Sequence, residues 1–461
     1  MFLSLSINNM KLSLFLIFFL TGCSFSAICQ KNFDNWIFGE GSYMSFKNGD
    51  TEITSLYTHN YCYFALSDDS GNLLFYCSLD SKNVFHISNQ NHKYIYDLQV
   101  ESYISTQVCA SVDAREKNIY HVFVYYEKNF DRSFFHRLHH VQLEIHDSEL
   151  TIKSDKTYDN LIISDFTLVP SGDLLRLITF ESGRKIRIYN VDDDIALVSE
   201  TDFSENFTAR RNSQVILSPD YTNFYIIYSN RILLEIGYNC INGTITGFHN
   251  INYPRQLLKF EFSQSGNYVI CAEYDENKDE IEFVRYNVTD FSNCRFEKYD
   301  LIQSIDCESN NYYGRRNLDM LLGPDGNIYI GFLRNTYLSE IENPDAVLSE
   351  CKFIFDKINL QGRKFGNAFQ QLPRFSPNFQ VSNKSCFEFA FCYIGYPVQS
   401  YLWDFGDNTE QSTETSPVHV YEKSGKYTVK LAVTFSSGET KTLEKNLVVN
   451  PPLEKPKLIV E

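Results

Sequence analysis

Apolar and polar positions along this chain alternate in short runs instead of recurring at helical spacing, and the runs come in pairs. Six times an apolar strand leads into a tight turn of Ser, Pro, Asp, Gly or Asn and then into a second apolar or aromatic strand. The copies span 64–76 around Ser67-Asp68-Asp69-Ser70-Gly71, 109–125 around Lys117-Asn118, 167–180 around Ser171-Gly172-Asp173, 215–228 around Ser218-Pro219-Asp220, 260–272 around Ser265-Gly266-Asn267, and 320–332 around Pro324-Asp325-Gly326-Asn327. Gly and Asn accept positive φ and Pro presets the first turn angle, so each copy predicts a β-hairpin.

The turns recur at roughly the length of a four-stranded propeller blade, a sheet that needs neighbours to bury both its faces. Residues 31–375 therefore read as a β-propeller. At about 50 residues per blade this length predicts seven blades, with six as the alternative. The seventh is expected to close by pairing Trp36-Ile37-Phe38 with 352–355. Two stacked β-sandwiches are the competing reading. Composition agrees with all-β structure: aromatics reach 15% while only 21% of residues are charged.

Past Pro373-Arg374-Phe375-Ser376-Pro377 the pattern changes to five or more short strands, so 376–450 reads as a separate sandwich and 451–461 as a loose tail. Trp403 and Phe405 fall on one face of a strand, Gly406-Asp407-Asn408 makes the turn, and Tyr427, Val429 and Leu431 alternate inward on the facing strand. The run Tyr401-Leu402-Trp403-Asp404-Phe405-Gly406-Asp407-Asn408, with Ser416-Pro417-Val418-His419-Val420-Tyr421 and Gly425-Lys426-Tyr427-Thr428-Val429, closely resembles the signature of the polycystic kidney disease (PKD) domain. That resemblance implies an immunoglobulin-like β-sandwich. Asn408 stands where the motif usually has Gly and tolerates the same left-handed backbone.

More loosely, Asn35-Trp36-Ile37-Phe38-Gly39-Glu40-Gly41, 66–76, Ser105-Thr106-Gln107 and Asn367-Ala368-Phe369-Gln370-Gln371-Leu372-Pro373-Arg374-Phe375 resemble exported Bacteroidetes proteins that join such repeats to PKD domains. Residues 1–30 read as an export signal, with one cation before nine apolar residues, too few to span a bilayer. Leu20-Thr21-Gly22-Cys23 resembles a lipobox that would lipidate Cys23, whereas Ala27-Ile28-Cys29 offers ordinary cleavage. An outer-membrane surface lipoprotein or a secreted protein is expected, with membrane contact only through that lipid.

The net charge of −17 argues against a nucleic-acid partner. No phosphate loop, nucleophile elbow, HExxH or CxxC occurs, and no cofactor is expected. His136, His139, His140 and His146 crowd one segment, but a solvent-exposed outer strand is favoured over a metal site. Asp192-Asp193-Asp194 lacks the alternating oxygens of a calcium loop and reads as a solvated turn. Ser67-Asp68-Asp69-Ser70-Gly71 resembles an Asp box, a structural turn. Cys62 and Cys77 flank the first hairpin and are candidates for a disulfide.

Two doublets, Arg210-Arg211 and Arg315-Arg316, precede equivalent strands and would sit at the rim of a central channel, where guanidinium forks suit carboxylates. Pairing with acids of neighbouring blades is the alternative. The expected function is non-enzymatic recognition of a protein or glycan, with the PKD domain as spacer. A glycoside hydrolase or lyase with an accessory PKD domain is the alternative.

Overall fold

The computed structural model describes residues 34–46, 51–55, 61–68, 71–100, 107–116, 118–130, 133–146, 149–159, 161, 163–181, 185–202, 215–229, 231–293, 295, 300–306, 317–366, 377–395, 397–435 and 438–451. Among them nine antiparallel sheets form, six of four strands and three of three. No helix among them is long and apolar enough to cross a membrane. Cys23 and all four arginines of the two doublets lie outside the described residues.

Seven sheets follow one another along the chain, at 35–55, 61–99, 107–159, 163–202, 215–252, 256–306 and 318–359, each a meander in sequence order. The six hairpins read from the turn residues are the first two strands of sheets two to seven. Gly71, Gly172, Gly266 and Gly326 sit at positive φ in these turns, the reason glycine is needed there.

A four-stranded sheet with two apolar faces must bury both, and each sheet here packs on the next. Ile37 of the first sheet packs with Ala65 and Tyr76 of the second, and the Asn35 amide donates to Ser67 Oγ at 2.7 Å. Phe75 meets Tyr120 edge-on at 5.6 Å, joining sheets two and three. Cys109, Phe123 and Leu138 share a cluster with Phe166, Leu168 and Leu177, joining three and four. Phe180 meets Phe224 at 5.9 Å, and Tyr225 meets Phe262 at 5.6 Å, carrying the contact through sheets five and six. Ile270, Phe283, Met320 and Ile330 bind six to seven.

The seventh sheet also packs on the first. Trp36 meets Tyr329 edge-on at 5.4 Å, and the Gln361 side chain donates to the Ile53 carbonyl at 2.9 Å. Strand pairing there differs from the sequence expectation. Asn35–Phe38 pairs with Ser42–Ser45 in its own sheet, and Lys352–Asn359 pairs with Tyr337–Glu342. An apolar run such as Trp36-Ile37-Phe38 announces burial without naming its hydrogen-bond partner, and the nearer Gly39-Glu40-Gly41 turn supplied one.

The last two sheets face each other. One joins Asn378–Asn383, Glu388–Ile394 and Val418–Val420; the other joins Ser400–Asp404, Gly425–Thr434 and Thr440–Val449. Trp403, Phe405, Phe391, Val429 and Leu431 fill the space between them. Trp403 Nε1 donates to the Glu414 carbonyl at 2.8 Å, which satisfies the one polar atom of a fully buried ring. Tyr427 is half-buried where full alternation inward was expected. Gly406 lies at φ +77° with no room for a Cβ against Thr428, and Asn408 lies at φ +64°.

This sandwich docks on sheets four and five. The Gly172 amide donates to the Tyr393 carbonyl at 2.7 Å, and the Asn378 side chain donates to the Pro219 carbonyl at 3.0 Å. Cys392 and Ile394 belong to the same apolar cluster as Ile178, Phe224 and Cys240.

Candidate functional site

In three of the repeated sheets the first strand carries a charged side chain amid apolar ones. Asp165 occupies the third position of Ile163–Ser171, Lys259 the fourth of Gln256–Phe262, and Asp319 the second of Leu318–Leu322. These strands belong to sheets four, six and seven. Lys259 Nζ lies 3.1 Å from Asp319 Oδ1, with the Asp319 side chain 2% exposed. Lys259 is also within electrostatic reach of Asp165, across the intervening fifth sheet.

Asp165 is the unusual member. Its Oδ1 accepts from the Phe166 amide at 2.8 Å, while Oδ2 has no hydrogen-bond partner among the described residues. Burial pushes its carboxyl up to about 7, offset only in part by that amide, the Lys259 ammonium and the backbone of Val215. Nearby Cys109, on the first strand of sheet three, has its thiol pushed up to about 12 by burial, with the Asp165 charge adding to the effect. Glu261 Oε2 accepts from the Leu322 amide at 3.4 Å and ties sheets six and seven beside the pair. The arrangement brings a carboxyl able to carry a proton near neutrality within reach of an ammonium that is paired with a second carboxyl.

The segments 203–214 and 307–316, which carry Arg210, Arg211, Arg315 and Arg316, lead directly into Val215–Leu217 and Leu318–Leu322. Asp319 stands three residues after Arg316. Nothing in the turn signals marked Asp165, Lys259 or Asp319. A charged residue inside an otherwise apolar first strand was the available sign.

The middle of the histidine-rich segment is buried, contrary to the expected exposed strand. His139 and His140 are 7% and 0% exposed, because sheet three is covered on both faces. His121 Nε2 lies 2.9 Å from Asp113 Oδ2, and its Nδ1 lies 2.8 Å from His140 Nε2. His140 stacks on Phe123 at 4.4 Å. The side chain of His136 lies outside the described residues, and His146 is exposed beside Glu144 at 3.0 Å. No group of three or more His, Cys, Asp or Glu among the described residues is arranged to hold a metal ion.

Asp192, Asp193 and Asp194 pair with Arg115, Lys153 and Lys156 at 2.7, 3.8 and 3.2 Å, linking the turn of sheet four to sheet three. In the first hairpin the register sets Cys62 opposite Ser78 and Cys77 opposite Phe64, and the side chain of Cys62 lies outside the described residues. Asp68 Oδ1 accepts from the Asn72 amide at 2.8 Å, so this acid shapes its own turn.

In the C-terminal sandwich Asp404 Oδ1 accepts from the Gly406 amide at 2.9 Å. Asp407 Oδ2 meets His419 Nε2 at 2.8 Å, with His419 stacked on Phe405 at 3.9 Å. Burial works against the Asp407 charge, but bonds from Thr409 and His419 outweigh it and hold its carboxyl below the usual range. These acids fix the turn after Trp403.

Residues 387–450 match the family described as PKD domain. Collagenase ColA of Bacillus cereus is 52% identical over 56 residues, covering 12% of this chain and 6% of that protein. The PKD1 domain of Vibrio anguillarum Epp is 31% identical, covering 17% of this chain and 94% of that domain, with a TM-score of 0.16. The β-propeller domain of Myceliophteria thermophila Cps50 (Swd1) covers 69% of this chain and 92% of its own at 8% identity and a TM-score of 0.34. The chain spans about one twentieth of the length of curated relatives such as Collagenase ColQ1, also of Bacillus cereus. With its signature residues Trp403, Asp404, Phe405, Gly406 and Asp407 placed in core and turn, the segment 387–450 of this all-β chain is a PKD domain.

Proposed function

We propose that this chain is an exported, non-enzymatic binding protein of the cell surface. Its seven repeated sheets act as blades of a β-propeller that takes a protein or glycan ligand, and the PKD domain is a docked spacer. The contact of the seventh sheet with the first, through Trp36 and Tyr329, supports the ring arrangement. The observation that carries the binding reading is the convergence of Asp165, Lys259 and Asp319 from three sheets. Buried charges are expensive, and a structure built only for stability is better served by apolar side chains there.

The ligand enters where the first strands begin, the end reached by the segments of Arg210, Arg211, Arg315 and Arg316. Guanidinium forks at that rim suit a carboxylate-bearing glycan or an acidic peptide. An array of glycans and peptides probed with the purified chain tests this. Binding lost in Arg211→Ala and Arg316→Ala is expected; binding unchanged in both rejects the rim.

The differing environments of Asp165 and Asp319 favour one second reading, a hydrolase in which Asp165 supplies the proton and Asp319, paired with Lys259, is the second carboxyl. A polysaccharide hydrolysis screen decides it. Turnover abolished by both Asp165→Asn and Asp319→Asn supports the enzyme, and no turnover on any substrate supports the binding protein.

A further inference from the structure

Two cysteines from different domains meet where the PKD domain docks. Cys240 lies in the turn after Ile232–Asn239 of sheet five, and Cys392 lies on the PKD strand Glu388–Ile394. In this structure both are free thiols whose side chains interact directly with one another, Cys392 Sγ also donating to the Tyr393 carbonyl at 3.4 Å, and they are 0% and 3% exposed. We propose that Cys240 and Cys392 form a disulfide bond that locks the PKD domain onto the repeated sheets.

The backbone around both sulfurs is held by bonds that cross the same interface. Gln380 Oε1 of the PKD domain accepts from the Cys240 amide at 2.9 Å. The Gly172 amide of sheet four donates to the carbonyl of Tyr393, the residue after Cys392. Cys392 Sγ sits over Gly172, 3.7 Å from where a Cβ would stand, in ordinary contact. The two thiols thus lie in one apolar cluster, with the backbone beside each tied across the interface.

A second observation points to thiol chemistry. Arg176 is 3% exposed, and its Nε and Nη1 have no hydrogen-bond partner among the described residues. Its Nη2 donates at 3.2 Å to the carbonyl of Ile241, the residue after Cys240. The guanidinium favours the Cys240 thiolate, and Lys445 adds a second positive charge. Thiolate is the species that attacks a disulfide, and a neighbouring cation promotes it. In the closed interface burial dominates and pushes the Cys240 thiol well above its ordinary value. Exchange therefore proceeds before or during docking, while water reaches the sulfurs, and docking then shields the finished bond.

The oxidant is a disulfide, small or protein-borne. One cysteine loses its proton and its thiolate attacks a sulfur of the donor, releasing one donor thiolate and leaving a mixed disulfide. The second thiolate attacks the protein sulfur of that mixed disulfide, forming Cys240–Cys392 and expelling the second donor thiolate. Two protons and two electrons leave the cysteines, and the donor ends as two thiols.

The full-length chain, purified and equilibrated in mixtures of reduced and oxidised glutathione, tests this wherever the protein resides. Free thiols are blocked in denaturant and unreduced peptides are mapped by mass spectrometry. A peptide containing Cys240 linked to one containing Cys392, lighter by two hydrogens and lost on reduction, is expected. The melting temperature of the oxidised chain should fall on reduction in the wild type and be insensitive to reductant in Cys240→Ser and Cys392→Ser. Both thiols recovered fully alkylated from the oxidised sample overturns the proposal. So does either one recovered with glutathione or with another cysteine.

Discussion

His140 Nε2 lies 2.8 Å from His121 Nδ1, and this contact ties the two buried rings together. His121 Nε2 in turn faces the Asp113 carboxylate at 2.9 Å and donates to it. His140 Nδ1, on the far side of its ring, has no partner among the described residues. Protonation would place an N–H there with nothing to receive it. Burial first, then the nearby His121 and Lys156 charges, push the His140 imidazole down to about 3, with Asp194 opposing.

The sign of the resulting pH dependence follows from that placement. The unfolded His140 takes up a proton near pH 6.5 while the folded one refuses it until about 3, so the folded chain loses stability as pH falls through that window. Asp113 acts in the same direction lower down. Burial opposes its charge, yet His121 and the amides of Arg115 and Glu116 hold it at about 2. Urea unfolding between pH 7 and 4 should show His140 contributing a slope of up to about 1.4 kcal/mol per pH unit. In His140→Gln, which removes the titrating ring, that contribution should vanish, and an unchanged slope rejects the assignment.

Asp165 carries the opposite sign. Its folded carboxyl, pushed up to about 7, keeps a proton that the unfolded chain loses near 3.8, so its contribution is whole below pH 4 and declines as pH rises through 7. Asp165→Asn, neutral at every pH, should gain on the wild type across pH 4 to 7 by about 1.4 kcal/mol per unit at most and hold a constant margin above pH 8. A margin independent of pH would mean that Asp165 is ionised throughout.

These charged positions also mark the limit of what the residue pattern conveys. The six hairpins were legible because their turns are local: Gly at positive φ in four of them and Pro219 at the first corner of a fifth specify the fold within a few residues. The PKD signature was legible for the same reason, since Trp403, Phe405 and Gly406 form core and turn within four positions. The hidden features depend on contacts between distant strands. Nothing near Asp165 says that Lys259 lies within reach, and the buried His139 and His140 looked like an exposed pair because packing of neighbouring sheets covers both faces. The Trp36 strand was assigned the wrong partner because apolar character encodes burial alone.

The Lys259–Asp319 pair should reveal itself by asymmetry. Removing the ammonium in Lys259→Met leaves the almost fully buried Asp319 carboxyl without its partner, which should cost about 3–5 kcal/mol. Converting both residues, as Lys259→Met with Asp319→Leu, removes the uncompensated charge and should recover most of that loss. A double-mutant cycle measured by chemical denaturation gives the coupling. Additive losses would show that the two side chains do not act on each other, and would remove the main support for a charged site at this place.

Gln380 provides the most direct measure of how tightly the two domains are joined. Its carboxamide is 7% exposed and works in both directions across the interface: Oε1 accepts from the Cys240 amide at 2.9 Å, and Nε2 donates to the Tyr221 carbonyl at 2.5 Å. Gln380→Leu fills the volume but leaves the Cys240 N–H and the Tyr221 carbonyl buried without that partner, a loss of about 1–3 kcal/mol for each such group. That loss falls on docking rather than on either core, because Trp403 and its neighbours do not depend on it. Reductant is included so that no covalent link masks the effect. Under these conditions the wild type should melt in one calorimetric transition, while Gln380→Leu separates into two, one for the PKD domain and one for the repeated sheets. A single transition lowered as a whole would instead place Gln380 within one cooperative unit that includes both domains.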